Sequence, residues 1–201
     1  MEDMERERAI ELARVAGVLT AAEARRHGIH SQTLTRLVRD GQLERVARGS
    51  YRPADAPLTE HHALARVAMA VPGGVVCLLS ALAFHGIGTQ VPRRVWVAVA
   101  RRSREPTLEW PPLRVVRFGG DAMTVGVEVH EIEGIPVRVY SPAKTVADVF
   151  KYRNKVGIDV AIEALKEVLA SGRVTVDELL HYARVCRVER VIRPYVEAVV
   201  A

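Results

Sequence analysis

No apolar run in this sequence approaches the roughly 18 residues a membrane-spanning helix needs. The opening MEDMERERAIEL is charged where a secretory signal would be apolar, so a cytoplasmic location is expected. Cysteine is scarce. Cys77 and Cys186 stand in apolar or helical surroundings without metal-ligand spacing and read as reduced core thiols rather than a disulfide or a zinc site. Lysine is scarce too, at four of 29 basic residues. That bias can reflect a GC-rich genome as readily as phosphate chemistry and carries no argument. There is no Walker loop, and no G-x-G-x-x-G opens a helix.

What is present is a globular balance. The chain has 201 residues, 49% hydrophobic and 26% charged, enough for one or two domains with a real core. The net charge of +5 is a weak pointer to a polyanionic partner, but its distribution says more. Residues 1–23 hold three Arg and six acids, whereas residues 24–53 hold seven Arg and two acids.

The basic stretch has a readable order. Residues 4–16 predict a helix. Thr20 and Glu23 form a capping box for a second helix, closed by Gly28. Ser31 is expected to cap a third, ending at Gly41. LERVA and SYRP read as short strands joined by a tight turn at Arg48-Gly49. Pro53, Asp55 and Pro57 read as a linker. Three short helices and a hairpin are the order of a winged helix-turn-helix, expected over residues 1–56 and able to fold alone, marginally for so small a core.

On a helical wheel Leu34, Leu37 and Val38 fall together and face a core, with Gln32, Thr35, Arg36 and Arg39 opposite. Arg pairs bidentately with guanine, Gln with adenine, and Thr touches a thymine methyl. Ser31 and Gln32 lie at the end that enters a major groove. Arg45, Arg48 and Arg52 on the hairpin suit phosphates or the minor groove, and Arg25 and Arg26 suit the backbone. The candidate DNA-binding set is therefore Arg25, Arg26, Ser31, Gln32, Thr33, Thr35, Arg36, Arg39, Arg45, Arg48, Ser50 and Arg52. The plainer alternative is a solvated basic face.

Residues 57–201 predict an α+β domain: a helix over 59–71, strands at 93–100, 113–118, 125–132 and 135–140 with a turn at Glu133-Gly134, then a helical tail. Ser141 caps a helix with Pro142 at its first position, and helices follow at 157–171, 175–186 and about 188–199. Ser80 reads as a cap, His85 as a core or helix-end histidine, and His61-His62 as solvated polar residues. Glu128, Glu131 and Glu133 lack the Lys of the common nuclease motif, and a solvated sheet face is the better reading. No catalytic set, metal site or cofactor site emerges.

HSQTLTRLVRDGQLERVARGSY, CLLSALAFHGIGTQVPRRVWVAV, GIPVRVYSPAKTVADVFKYRNKVGIDVAIEAL and YARVCRVERVIRPYVEAV, in that order, resemble the AbiEi family of type IV antitoxins and transcriptional regulators of bacterial abortive-infection systems. The resemblance covers nearly the whole chain. It implies a non-enzymatic repressor that binds inverted repeats in its own promoter, with a dimer on double-stranded DNA as the corresponding expectation. It also implies antagonism of a neighbouring nucleotidyltransferase toxin without a stable complex. The antitoxin surface expected on the second domain is Lys144, Lys151, Arg153, Lys155, Arg184, Arg187, Arg190 and Arg193. The last four recur every third residue and make a basic stripe if their helix is continuous. The stripe faces nucleic acid or is the solvated face of an amphipathic pair, and both readings stay open. Competing functions are a nuclease delivered by the winged helix and a ligand-sensing regulator without a toxin.

Overall fold

The computed structural model describes residues 2–200. The fold is α+β: a winged helix-turn-helix followed by a mixed domain with a small sheet and a helical tail. The chain forms two compact units. One holds the residues up to Pro72 together with Glu131–Pro136, and the other holds Gly73–His130 and the residues from Val137 on.

In the first unit, α1 (Glu2–Ala16), α2 (Ala21–Arg26) and α3 (Ser31–Arg39) enclose Ala9, Ala13, Ala24, Ile29, Leu34 and Leu37. The capping box at Thr20 and Glu23 is formed in both directions. Two Schellman closures end α2 and α3. Gly28 and Ile29 donate to Arg25 and Ala24, and Gly41 and Gln42 donate to Val38 and Leu37. The hairpin strands β2 (Leu43–Ala47) and β3 (Ser50–Pro53) fall where LERVA and SYRP placed them. A two-residue strand, β1 (Leu19–Thr20), completes an antiparallel sheet of order β1-β3-β2, with Leu19 opposite Tyr51 and Arg45 opposite Tyr51 on its other side. The unit continues through α4 (His62–Ala70) and the 131–136 segment.

That segment forces a correction at Glu133 and His62, neither of which is a solvated polar residue. The Glu133 carboxylate accepts from Arg52 Nη1 at 3.0 Å and from the Thr59 N–H at 2.8 Å, and lies 2.8 Å from His62 Nδ1. Backbones meet closely beside it. A Cβ on Gly134 would lie 2.1 Å from the Ala16 carbonyl oxygen, and one on Gly17 would lie 2.7 Å from that of Glu133, so neither position accepts a side chain.

The second unit is built on a five-stranded mixed sheet of order β6 (Leu113–Phe118), β5 (Val95–Ala100), β4 (Val75–Val76), β8 (Ile135–Tyr140) and β7 (Val127–Ile132), the last two running on into the 131–136 segment that carries the Glu133-Gly134 turn. β5 pairs parallel with β6, Trp96 opposite Arg114, and antiparallel with β4. Helix α7 (Pro142–Lys151), capped by Ser141 as expected, lies buried from Ala143 to Phe150. Around it pack α5 (Leu78–Phe84), α9 (Ile158–Ala170) and α10 (Val176–Val185). One-turn helices α6 (Asp121–Thr124) and α8 (Arg153–Val156) and a final α11 (Glu189–Val200) complete it.

Two further expectations change here, and the condition set for the basic stripe, a continuous helix, is not met. Cys77, not Ser80, is the N-cap of α5; the Ser80 hydroxyl instead accepts the Trp96 N–H at 2.9 Å. Lys144 is fully buried against Asp148 inside α7. The basic stripe is interrupted, because α10 stops at Val185 and Arg187 takes φ +59 before α11 begins. His85 is the C-cap of α5, with Nε2 donating to the Tyr140 carbonyl at 2.8 Å.

Candidate nucleic-acid interface

Helix α3 separates its residues by side. Thr33, Leu34 and Leu37 are buried, while Ser31, Gln32, Thr35, Arg36 and Arg39 are exposed. Ser31 is the first helical residue and His30 the N-cap, without a side-chain cap bond. Glu5 of α1 acts in its place: it accepts the His30 N–H at 3.0 Å and the Thr33 hydroxyl at 2.7 Å. Those bonds hold the Glu5 carboxyl below its ordinary range, Thr33 contributing most. At the other end of α3, Arg6 binds Asp40 at 2.8 Å and depresses its carboxyl too. Two residues of α1 thus fix both ends of α3.

Thr33 therefore leaves the candidate set, since its side chain is buried against Glu5. Arg52 leaves it for the same reason. It is 3% exposed, with its guanidinium on Glu133, His62 and the Ala56 carbonyl. The other hairpin arginines, Arg45 and Arg48, are exposed, and among the described residues no carboxylate pairs with them or with Arg25. Arg26 is exposed within 3.8 Å of Glu23. Ser50 is half-buried beside the turn, which is tied to α2 by a 2.7 Å bond from the Ala21 N–H to the Gly49 carbonyl. A groove of ≈ 840 Å³ runs along the start of α3 and adds Arg8, His27 and His30 to Gln32 and Arg36.

In the second unit Lys144 drops out of the expected surface. Its ammonium pairs with Asp148 and stands 4.1 Å from the Tyr140 ring centre and 5.0 Å from that of Phe118. Burial raises the Asp148 carboxyl against the pull of Lys144. Lys151, Lys155, Arg184, Arg187, Arg190 and Arg193 are exposed, and Arg153 is half-buried with a 3.0 Å bond to the Phe150 carbonyl. Glu189 holds Arg193 and lies 3.6 Å from Arg184. Among the described residues no group of three or more His, Cys, Asp or Glu is placed to hold a metal, and no helix is long and apolar enough to cross a membrane.

Comparison with protein families gives two matches in chain order. Residues 7–54 match a model described as a transcriptional regulator, AbiEi antitoxin, and residues 74–193 match the AbiEi antitoxin C-terminal domain. The chain belongs to the AbiEi antitoxin family. No curated protein matches it. The crystal structure of the RV2827C protein from Mycobacterium tuberculosis shares the fold, with a TM-score of 0.53 at 15% identity over 82% of this chain. The alignment spans 65% of that longer chain.

The first AbiEi match contains α2, α3 and both wing strands, and so the exposed residues they carry, whereas Glu5 and Arg6 precede it. Sequence reasoning overlooked Arg8, which sits in the acidic first helix, and Glu5, whose role lies across 25 residues of sequence. A basic residue within the first two turns of α1 was the available signal for Arg8.

Proposed function

We infer that this AbiEi-family protein is a DNA-binding repressor of its own operon and a type IV antitoxin. The single observation that carries the DNA half is the two-sided α3, with Gln32, Thr35, Arg36 and Arg39 exposed together opposite the buried Leu34 and Leu37. α3 enters the major groove. Gln32 and Arg36 read base edges, and Arg45 and Arg48 on the wing and Arg25 and Arg26 on α2 hold phosphates. Inverted repeats in the operator seat two copies. Binding weakens steeply with salt, because each neutralised phosphate releases counterions.

The antitoxin half rests on the second unit, where Lys151, Lys155, Arg184, Arg187, Arg190 and Arg193 of the expected surface are exposed. The partner is a nucleotidyltransferase toxin antagonised without a stable complex. A gel-shift titration on the protein's own promoter, run at two salt concentrations beside a scrambled duplex, tests the first half. Equal affinity for the two duplexes removes it. Survival of cells expressing the adjacent gene, with and without this chain, tests the second. Incubation with plasmid and Mg²⁺ is expected to leave the DNA intact.

A further inference from the structure

The second unit contains a cavity of ≈ 560 Å³ where Arg101, Lys151, Arg184 and Arg187 converge on the Gly119-Gly120 backbone, with Asp121 the one acid among the described lining residues. The cations come from separate elements. Arg101 follows β5, Lys151 ends α7, and Arg184 and Arg187 lie in and after the last turn of α10. Among the described residues only Arg184 has a carboxylate within ion-pair distance, that of Glu189. Four like charges around one concavity repel each other and work against the compact state.

Two packing details hold this unfavourable arrangement. The Arg101 side chain lies so close over Gly119 that a Cβ there would stand 2.9 Å from its Nε. Arg187 closes α10 in a Schellman turn, Val188 N–H to the Ala183 carbonyl at 2.8 Å and its own N–H to that of Arg184 at 3.0 Å. That left-handed position belongs by preference to glycine. A strained arginine beside unneutralised charge points from the strain to a function.

The chemistry of the lining selects the ligand. Among the described residues no aromatic ring borders the cavity to stack a base, and four cations exceed what one phosphate uses. The volume lies within the roughly 300–1,000 Å³ of small-molecule sites. We propose that this cavity binds a compact polyphosphate, the di- or triphosphate group of a small ligand. The site stands without the antitoxin reading.

Calorimetric titration of the full chain with inorganic triphosphate tests it, with sulfate at matched ionic strength as the control anion. Triphosphate is expected to bind once per chain, and sulfate at least tenfold more weakly. Arg101→Gln weakens triphosphate binding tenfold or more, the loss expected for one charge-assisted hydrogen bond. Gly119→Ala does the same by displacing Arg101. Arg187→Gly separates function from fold: it relieves the backbone, so Tm of the free protein rises while triphosphate binding falls about tenfold. Equal binding of triphosphate and ATP supports recognition by phosphate alone. Unchanged binding in Arg101→Gln and Arg187→Gly, no binding at all, or sulfate binding as tightly overturns the proposal. So does displacement of triphosphate by a short DNA duplex, which would make the cavity part of a nucleic-acid surface. Promoter binding and toxin rescue are not read, so failure here leaves the regulatory function standing.

Discussion

Lys144 carries the sharpest lesson at the scale of single residues. An i,i+4 Lys–Asp pair on a helix reads as surface charge, yet Lys144 is 0% exposed and, among the described residues, pairs with Asp148 alone. Removing one member of such a pair strands a buried charge. Lys144→Ala is therefore expected to cost ~3–5 kcal/mol in urea unfolding, while the Lys144→Met/Asp148→Leu double variant recovers most of that loss. A double variant as unstable as the single one contradicts the account. The exposed arginines behave differently. Arg36→Ala is expected to cost ~1–3 kcal/mol at the operator and to relax preference at one base position. Arg48→Ala should weaken every duplex alike and flatten the salt slope. Normal operator binding by both variants removes α3 and the wing from the interface.

Among elements, α3 depends on α1. Glu5 and Asp40 both titrate below their ordinary range, through Thr33 and Arg6 respectively. A depressed folded pKa contributes stability that is present above the unfolded value and lost as pH falls through the folded one. The first unit should therefore loosen as pH drops through and below about 4. Glu5→Gln should be less stable at pH 7 and show a flatter acid dependence by circular dichroism. An unchanged acid profile in Glu5→Gln breaks the clamp argument. Elements marked by local chemistry were legible in sequence. The Arg48-Gly49 and Glu133-Gly134 turns placed their hairpins, and Ser141-Pro142 placed the start of α7. β1, α6 and α8 were not legible, because two to four residues carry no periodicity. The break between α10 and α11 fell where the separate helices at 175–186 and about 188–199 put it, but the left-handed turn at Arg187 was not legible, because an arginine occupies the position glycine prefers. The exposed face of α3 was legible from Leu34 and Leu37 alone; the burial of Thr33 was not, since its partner Glu5 is distant in sequence.

For the whole molecule, contiguity in sequence and in space diverge. The breakers at Pro53 and Pro57 suggested a boundary there, but the first unit runs to Pro72 and takes in 131–136. A fragment ending at residue 56 leaves the guanidinium of Arg52 without His62 and Glu133. It should melt without a cooperative transition, where the intact chain melts sharply. Division of labour is therefore better tested on the full chain. Arg45→Ala/Arg48→Ala should abolish repression of a promoter–reporter fusion while cells still survive the cognate toxin. Lys151→Ala/Arg184→Ala should repress normally and fail to rescue. All four side chains are exposed, so neither pair should lower Tm by more than a degree or two, a check that distinguishes lost function from lost fold. Loss of both activities in either pair would mean that repression and antitoxicity share one surface. The separation expected here follows from charge: duplex binding needs cations displayed along the winged helix, and the second unit displays its own on different elements.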